Sequence, residues 1–315
     1  MTKIDLITGF LGSGKTTFLK MYAKYFIERG EKICIIENDF GAINVDRVIL
    51  NDIEGENCNL EMIVGGDGPE AHRRRLKTKL IAMGMAGYDR VLIEPSGIFD
   101  PDELFDILYE EPMDRWYEMG NIICIVDGEQ KADISTESRF LLMSEAAVAG
   151  VIVVSKVYEE YTLKVRNIIS MLNEIMEEFK CDRKMISKDI VCKSWDEIST
   201  EDFQKISKAG YVKANFTKIN IDKENAYQTL FFFDFKMPAS ELKEVVSNIY
   251  GDSECGKIYR VKGFVDVGDG KKIEINATEN EYITKDADIE RSVLIVIGEK
   301  INRERLKKYI GEPSI

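Results

Sequence analysis

The first two thirds of the chain alternate short apolar segments with segments whose apolar positions recur at helical spacing. The apolar segments predict strands at residues 4–8, 32–37, 90–93, 122–126 and 151–154. The periodic segments predict helices at residues 15–28, 69–83, 101–109, 138–147 and 163–179. Short, nearly continuous apolar strands that alternate with helices are typical of a parallel sheet covered on both faces. We therefore predict an α/β fold with a doubly wound, mostly parallel sheet.

The pattern changes after about residue 215. Apolar and polar positions there predict strands at residues 229–235, 258–267, 271–276 and 292–297, and helices at residues 238–250 and 302–310. The turn Gly268-Asp269-Gly270 joins two of these strands as a hairpin. A polar connection precedes this region and contains one possible short strand at residues 190–192. We predict two domains, residues 1–200 and a small α+β domain at residues 215–315.

A glycine-rich loop lies between the first predicted strand and the first predicted helix. Residues 9–16 read GFLGSGKT, which fits the phosphate-loop pattern G-x-x-x-x-G-K-[ST] in full. Glycines allow successive backbone N–H groups to turn toward phosphate oxygens, and the helix adds its positive end. Lys15 is expected to reach the β- and γ-phosphates, and Thr16 to ligate Mg²⁺. The nucleotide-binding residues predicted here are Gly9, Gly12, Ser13, Gly14, Lys15, Thr16 and Thr17.

Two acidic segments at strand ends are candidate partners of this loop. Glu94 directly follows the strand 90–93 and is expected to hold the Mg²⁺ shell. The N–H of Gly97 is expected to contact the γ-phosphate. Asp39 follows the second strand and could position the attacking water, with Asp46 nearby. The predicted catalytic residues are therefore Lys15, Asp39 and Glu94.

Composition narrows the function classes. The net charge of −13 disfavours nucleic acid and anionic membranes as partners, because both require a basic surface. No apolar run approaches the ~18 residues that span a bilayer. The six cysteines form no C-x-x-C pair, which favours a reducing, cytoplasmic compartment.

At this point the chain resembles the CobW family of P-loop GTPases, related to HypB and UreG. The resemblance rests on the phosphate loop and on the segments 37–41 (ENDFG), 93–97 (IEPSG), 126–127 (VD) and 260–264 (RVKGF). It implies a P-loop NTPase sheet followed by a CobW-type C-terminal domain. It also implies Mg²⁺-dependent GTP hydrolysis with low intrinsic turnover, coupled to metal delivery or to assembly of a metallocofactor such as a corrinoid. A client metalloprotein and a homodimer are the partners expected.

The chain departs from the family pattern at two places. The Cys-x-Cys-Cys metal motif is absent, since its positions carry Gly66, Gly68 and Pro69. The segment offers only the more distant Cys58 and His72, so we predict no transition-metal site there. The base-reading Asn-Lys-x-Asp motif is replaced by residues 155–158, SKVY. Ser155 and Lys156 are still expected to bind the nucleotide, because the Lys156 stem can lie against the base. Tyr158 cannot accept two hydrogen bonds, and Glu159 or Glu160 could take over.

A basic run, HRRRLKTK at residues 72–79, stands out in this acidic chain. It is either a solvated helix surface or a contact for an acidic partner, a second copy of the chain or phosphate charge. Two other functions share the phosphate loop. One is a small-molecule kinase, for which the basic run could be a lid, and the other is a nucleotide-binding regulatory module with negligible turnover.

Overall fold

The structure is a computed structural model that describes residues 1–39, 49–64, 69–131, 133–158, 161–219, 221, 226–289 and 291–314. The side chains of residues 38, 39, 64 and 69 lie outside this description. The chain divides into two compact units, Met1–Ile219 and Asn220–Ile315.

The first unit is built on a seven-stranded parallel sheet, which confirms the predicted fold class. Its strands are β1 (Thr2–Thr8), β2 (Ile33–Asp39), β3 (Cys58–Val64), β4 (Arg90–Glu94), β5 (Tyr117–Asp127), β6 (Val151–Ser155) and β7 (Ile190–Cys192). Their order across the sheet is β3-β2-β4-β1-β5-β6-β7. The helices are α1 (Lys15–Ile27), α2 (Pro69–Ala86), α3 (Asp102–Leu108), α4 (Met113–Trp116), α5 (Thr136–Val148), α6 (Tyr161–Glu178) and α7 (Thr200–Ile206). Among the described residues, no helix combines the length and apolar character that crossing a bilayer requires.

Strand β1 lies at the centre of the sheet and is buried on both faces. Its one acidic residue, Asp5, is fully buried and accepts hydrogen bonds from Tyr22 Oη of α1 at 2.8 Å and from Arg90 Nη1 of β4 at 2.7 Å. The backbone N–H of Asn121 in β5 donates to the same carboxylate at 2.8 Å. Burial raises the pKa of Asp5, although Arg90 acts in the opposite direction. This network joins β1 to its two neighbouring strands and to the helix that follows the phosphate loop.

The sequence pattern missed β3 and two short helices of this unit, α4, which has four residues, and α7. In β3, polar Asn59 and Glu61 interrupt the apolar run, so the segment lacks the continuous pattern of the other strands. Helix α7 has only seven residues, too few for a clear helical period. Its Phe203 packs against Phe18 of α1, with ring centroids 6.1 Å apart, so tertiary contact rather than periodicity stabilises the helix.

The second unit is a five-stranded antiparallel sheet in the order β11-β10-β9-β12-β8, with two helices on an apolar face. Its elements are β8 (Tyr227–Phe233), α8 (Ala239–Gly251), β9 (Lys257–Gly268), β10 (Lys271–Thr278), β11 (Glu281–Ala287), β12 (Val293–Glu299) and α9 (Arg303–Ile310). The predicted hairpin is present as β9–β10, and β11 is an additional strand that the sequence pattern did not predict. An α+β architecture was expected for this region.

Candidate nucleotide site

The glycines of the phosphate loop adopt conformations that other residues rarely take. Gly9, Gly12 and Gly14 have φ values of 145°, 75° and 93°. A Cβ on Gly9 would lie 2.2 Å from the carbonyl oxygen of Ile125 in β5, so a side chain there would collide with backbone. The loop geometry is therefore determined both by local dihedral angles and by the close approach of the neighbouring strand.

Lys15 and Ser13 are polar residues of the loop whose side chains are buried. Lys15 is buried, and its Nζ donates to the carbonyl oxygens of Gly9 at 2.8 Å and Phe10 at 3.4 Å. The hydroxyl of Ser13 is also buried, and it has no hydrogen-bond partner among the described residues. A buried hydroxyl without a partner favours a bound polar ligand, so these residues fit a triphosphate.

The structure brings Thr16 and Glu94 together, as the motif pairing predicted. Thr16 Oγ1 donates to Glu94 Oε1 at 2.8 Å, and both side chains are buried. Hydroxyl and carboxylate oxygens are the hard ligands that Mg²⁺ prefers, so the donor set fits this ion. Glu37 of β2 is the register partner of Glu94 and is also buried. Sequence reasoning assigned Glu37 no role, although its place at the end of a strand was a usable signal.

The segment after β4 lies directly against the phosphate loop. A Cβ on Gly97 would lie 2.7 Å from the backbone nitrogen of Leu11 and 2.8 Å from its Cα. Only glycine therefore allows this segment to approach so closely. This contact puts the Gly97 backbone next to the loop, where a γ-phosphate contact was predicted.

A buried glutamate beneath the loop was not found by sequence reasoning. Glu145 of α5 is fully buried, and its Oε1 accepts a hydrogen bond from Thr8 Oγ1 at 2.7 Å. Thr8 is the last residue of β1 and directly precedes Gly9. The pair thus anchors the start of the phosphate loop to a helix. No local motif marks Glu145, because its role depends on a contact across the fold.

The opposite side of the loop faces β6 and β7. A Cβ on Gly14 would lie 3.5 Å from Trp195 Cζ2 and 3.6 Å from Ser155 Cβ. Lys156 has a left-handed backbone (φ 52°), and its Nζ lies 2.7 Å from Asp127 Oδ2 at the end of β5. Tyr158 is 73% exposed. The structure therefore brings Ser155 to the loop and holds Lys156 with a carboxylate, whereas Trp195 was not anticipated.

The structure describes only some of the other residues that the sequence analysis singled out. The backbone of Asp39 ends β2, while its side chain, together with Asp46, Glu159 and Glu160, lies outside the described residues. Gly66 and Gly68, at the positions of the family's cysteine motif, lie outside them too. Within the described ranges, no group of three or more His, Cys, Asp or Glu side chains could hold a metal ion. Burial raises the pKa of the thiols of Cys34 and Cys58, near the amino ends of β2 and β3, to about 12, so both are protonated at neutral pH.

The basic run lies on α2, where three of its charges are engaged within the first unit. Arg73 Nη2 lies 2.7 Å from Glu110 Oε1, and Lys77 is paired with the same carboxylate. Lys79 Nζ lies 2.5 Å from Glu61 Oε2 of β3. These ion pairs support a structural surface more than a lid or an acidic-partner contact.

The parallel sheet, the glycine-rich loop between β1 and α1 and the carboxylate at the end of β4 define a P-loop nucleotide-binding protein. Residues 3–187 match the family model described as CobW/HypB/UreG, nucleotide-binding domain. The chain belongs to this family.

Two curated relatives and one solved structure are similar to this chain. The zinc chaperone YeiR of Escherichia coli is 31% identical over 157 residues, which are 50% of this chain and 47% of that protein. The zinc chaperone YjiA of the same organism is 23% identical over 322 residues, 96% of both chains. The crystal structure of the Zn(II)-bound YjiA GTPase covers 98% of this chain and 97% of its own, with 18% identity and a TM-score of 0.38.

Proposed function

We propose that this protein is a Mg²⁺-dependent GTPase with low intrinsic turnover that acts in metal delivery to a client protein or in assembly of a metallocofactor. The observation that carries the nucleotide part is the hydrogen bond between Thr16 and Glu94 beside the buried Lys15. Family membership and the zinc-chaperone names of YeiR and YjiA support the metal part. A corrinoid is one metallocofactor that the family resemblance suggests.

Each residue of the site has a defined task in this proposal. Lys15 would exchange its contacts with the Gly9 and Phe10 carbonyls for phosphate oxygens. Thr16 and Glu94 would hold Mg²⁺, directly or through water, with Glu37 as a further acidic neighbour. When bound, the ion neutralises charge on the β- and γ-phosphates. Asp39 would position the attacking water, and Gly97 would donate its N–H to the γ-phosphate.

The proposed metal delivery does not depend on the family's cysteine motif. Its positions carry Gly66, Gly68 and Pro69, so thiolate ligation there is excluded by residue type. Carboxylates such as Glu37 would bind a soft metal more weakly than thiolates. The proposal therefore places the switching function in the nucleotide site and leaves the metal to the client or to another ligand set.

The deciding experiment is equilibrium binding of GTP and ATP with and without Mg²⁺, followed by phosphate release. We expect GTP to bind more tightly than ATP, and Mg²⁺ to strengthen binding in the wild type but not in Glu94→Gln. ATP preference would contradict the GTPase assignment. A kinase would instead transfer phosphate to a small-molecule acceptor in a substrate screen, and a regulatory module would release phosphate no faster than Lys15→Ala.

A further inference from the structure

Different residues border the two sides of the phosphate loop. On the β4 side, Glu94 holds Thr16, so the terminal phosphates and the ion belong there. On the other side, a Cβ on Gly14 would lie 3.6 Å from Ser155 Cβ and 3.5 Å from Trp195 Cζ2, so both residues border the loop. Since β4 and β6 lie on opposite sides of β1 in the sheet, a nucleotide leaving the metal end extends toward β6 and β7. The base end of the site is therefore formed by the segments that follow these two strands.

Trp195 forms one wall of this base end. It opens the short helical turn Trp195–Glu197 that follows β7, and β7 pairs in parallel with β6 through Val154 and Cys192. Its ring packs on Phe18 of α1 at a centroid distance of 6.2 Å. The tryptophan is thus fixed between the helix of the phosphate loop and the loop itself, where a base or ribose would meet an aromatic surface.

The same turn carries a carboxylate that is held in place by α6. Glu197 Oε2 accepts a hydrogen bond from Tyr161 Oη at 2.5 Å, and Tyr161 is the first residue of α6. Hydrogen bonds from Tyr161 and then Ser194 lower the pKa of Glu197, so the group is ionised at neutral pH. Glu197 is exposed, and a carboxylate has about four lone-pair sites, so it can accept further hydrogen bonds. Tyr158 occupies the position where a base-reading carboxylate was expected, and the next two residues, Glu159 and Glu160, lie outside the described residues.

We propose that Glu197 reads the guanine base of bound GTP, with Tyr161 as its positioning residue and Trp195 as the adjoining wall. The inference rests on the proposed GTPase function and names the residue that sets its base preference. A carboxylate accepts hydrogen bonds from guanine N1–H and from the exocyclic amino group at C2. Adenine has an acceptor at N1 and no amino group at C2, so it would leave the carboxylate unpaired.

The first test converts this chemistry into a specificity change. A carboxamide presents one donor and one acceptor, which match the C2 carbonyl and N1–H of xanthine. We therefore expect Glu197→Gln to lose GTP affinity by roughly 10- to 100-fold, the range for a hydrogen bond to a charged group, and to gain affinity for xanthosine triphosphate. Asp196→Asn removes the adjacent exposed carboxylate and is the matched control, with unchanged affinity for both nucleotides.

The second test uses the two tryptophans of the chain, Trp116 and Trp195. In Trp116→Phe the remaining emission comes from Trp195, and in Trp195→Phe it comes from Trp116 against Gly84 of α2. We expect GTP to change the emission of the first variant more than inorganic tripolyphosphate does, because only GTP carries a base. The second variant should respond equally to both.

The outcomes separate this inference from the function on which it rests. Wild-type protein that prefers ATP, or binds neither nucleotide, overturns the proposed GTPase. Wild-type protein that prefers GTP while Glu197→Gln retains that preference overturns only the role of Glu197. Tyr161→Phe adds a positioning readout, since GTP affinity should fall while ATP affinity stays unchanged; an equal fall for both would indicate a structural role and contradict positioning.

Discussion

The two sides of the phosphate loop are built in different ways. On the β4 side, Thr16 and Glu94 form a buried hydrogen bond and Gly97 closes directly onto the backbone of Leu11. On the β6–β7 side, Lys156 pairs with Asp127, and the neighbouring groups Trp195 and Glu197 are partly or fully accessible. The β4 side consists of buried oxygen atoms and closely packed backbone, whereas the β6–β7 side consists of more exposed side chains.

Under the proposed function, this difference corresponds to what each side would recognise. Phosphates and a divalent ion are the same in every nucleoside triphosphate, so their site has little freedom in residue type or geometry. A base is recognised by a few hydrogen bonds and a flat surface, which side chains from different segments can supply. A family member can therefore lose the usual base-reading carboxylate without losing the triphosphate site.

The largest expected effect is on the phosphate side, at Lys15. Replacing it with alanine removes the cation that faces the phosphates, and we expect kcat for phosphate release to fall by about 10²- to 10³-fold. Lys24→Ala on the same helix is the control, because that side chain is 49% exposed and makes only a 3.8 Å ion pair with Asp52. An equal kcat for phosphate release in the two variants would mean that Lys15 has no role in catalysis.

A smaller effect is expected at Gly97. The new Cβ of Gly97→Ala would lie 2.7 Å from the Leu11 nitrogen, so the loop or the strand end must shift. We expect the free energy of unfolding to fall by about 1–3 kcal/mol, the usual range for overpacking, and GTP affinity to fall with it. Denaturant titration and nucleotide binding measure both quantities. Gly55→Ala is the control, since a Cβ built there meets no atom within 4 Å among the described residues, apart from its chain neighbours. Two equally stable variants would contradict the close approach at Gly97.

The smallest effect is expected on the base side, at Lys156. Methionine there keeps an unbranched stem for the base but removes the ion pair with Asp127, and we expect GTP affinity to fall by up to about tenfold, or ~1.4 kcal/mol. Isothermal titration would measure the change. Lys180→Met is a matched control, because Lys180 is exposed and has a similar backbone φ of 54°. A loss of GTP affinity well above tenfold in Lys156→Met would contradict this ranking of the two sides.

Sequence pattern predicted the elements whose information is local. The strands of the first sheet with continuous apolar runs were found, and so was the hairpin of β9 and β10. The elements β3, β11 and α7 were missed because they are short or carry polar residues, and neighbouring elements stabilise them. The same limit applies to Glu145 and Glu197, because their hydrogen bonds with Thr8 and Tyr161 join residues far apart in the chain.

What the sequence alone determined is the phosphate loop, because its function resides in one contiguous backbone segment whose glycines carry the required dihedral angles. Only the tertiary structure decided which side chains surround it. Thr16 and Glu94 are separated by 78 positions, and strand order and register bring them within a hydrogen bond. Strand pairing also puts Trp195 beside Gly14. Strands β1 and β7 run in parallel, so the loop after β1 and the turn after β7 begin at the same edge of the sheet. A motif can encode a local backbone conformation, but the side chains that surround it depend on how distant strands pair.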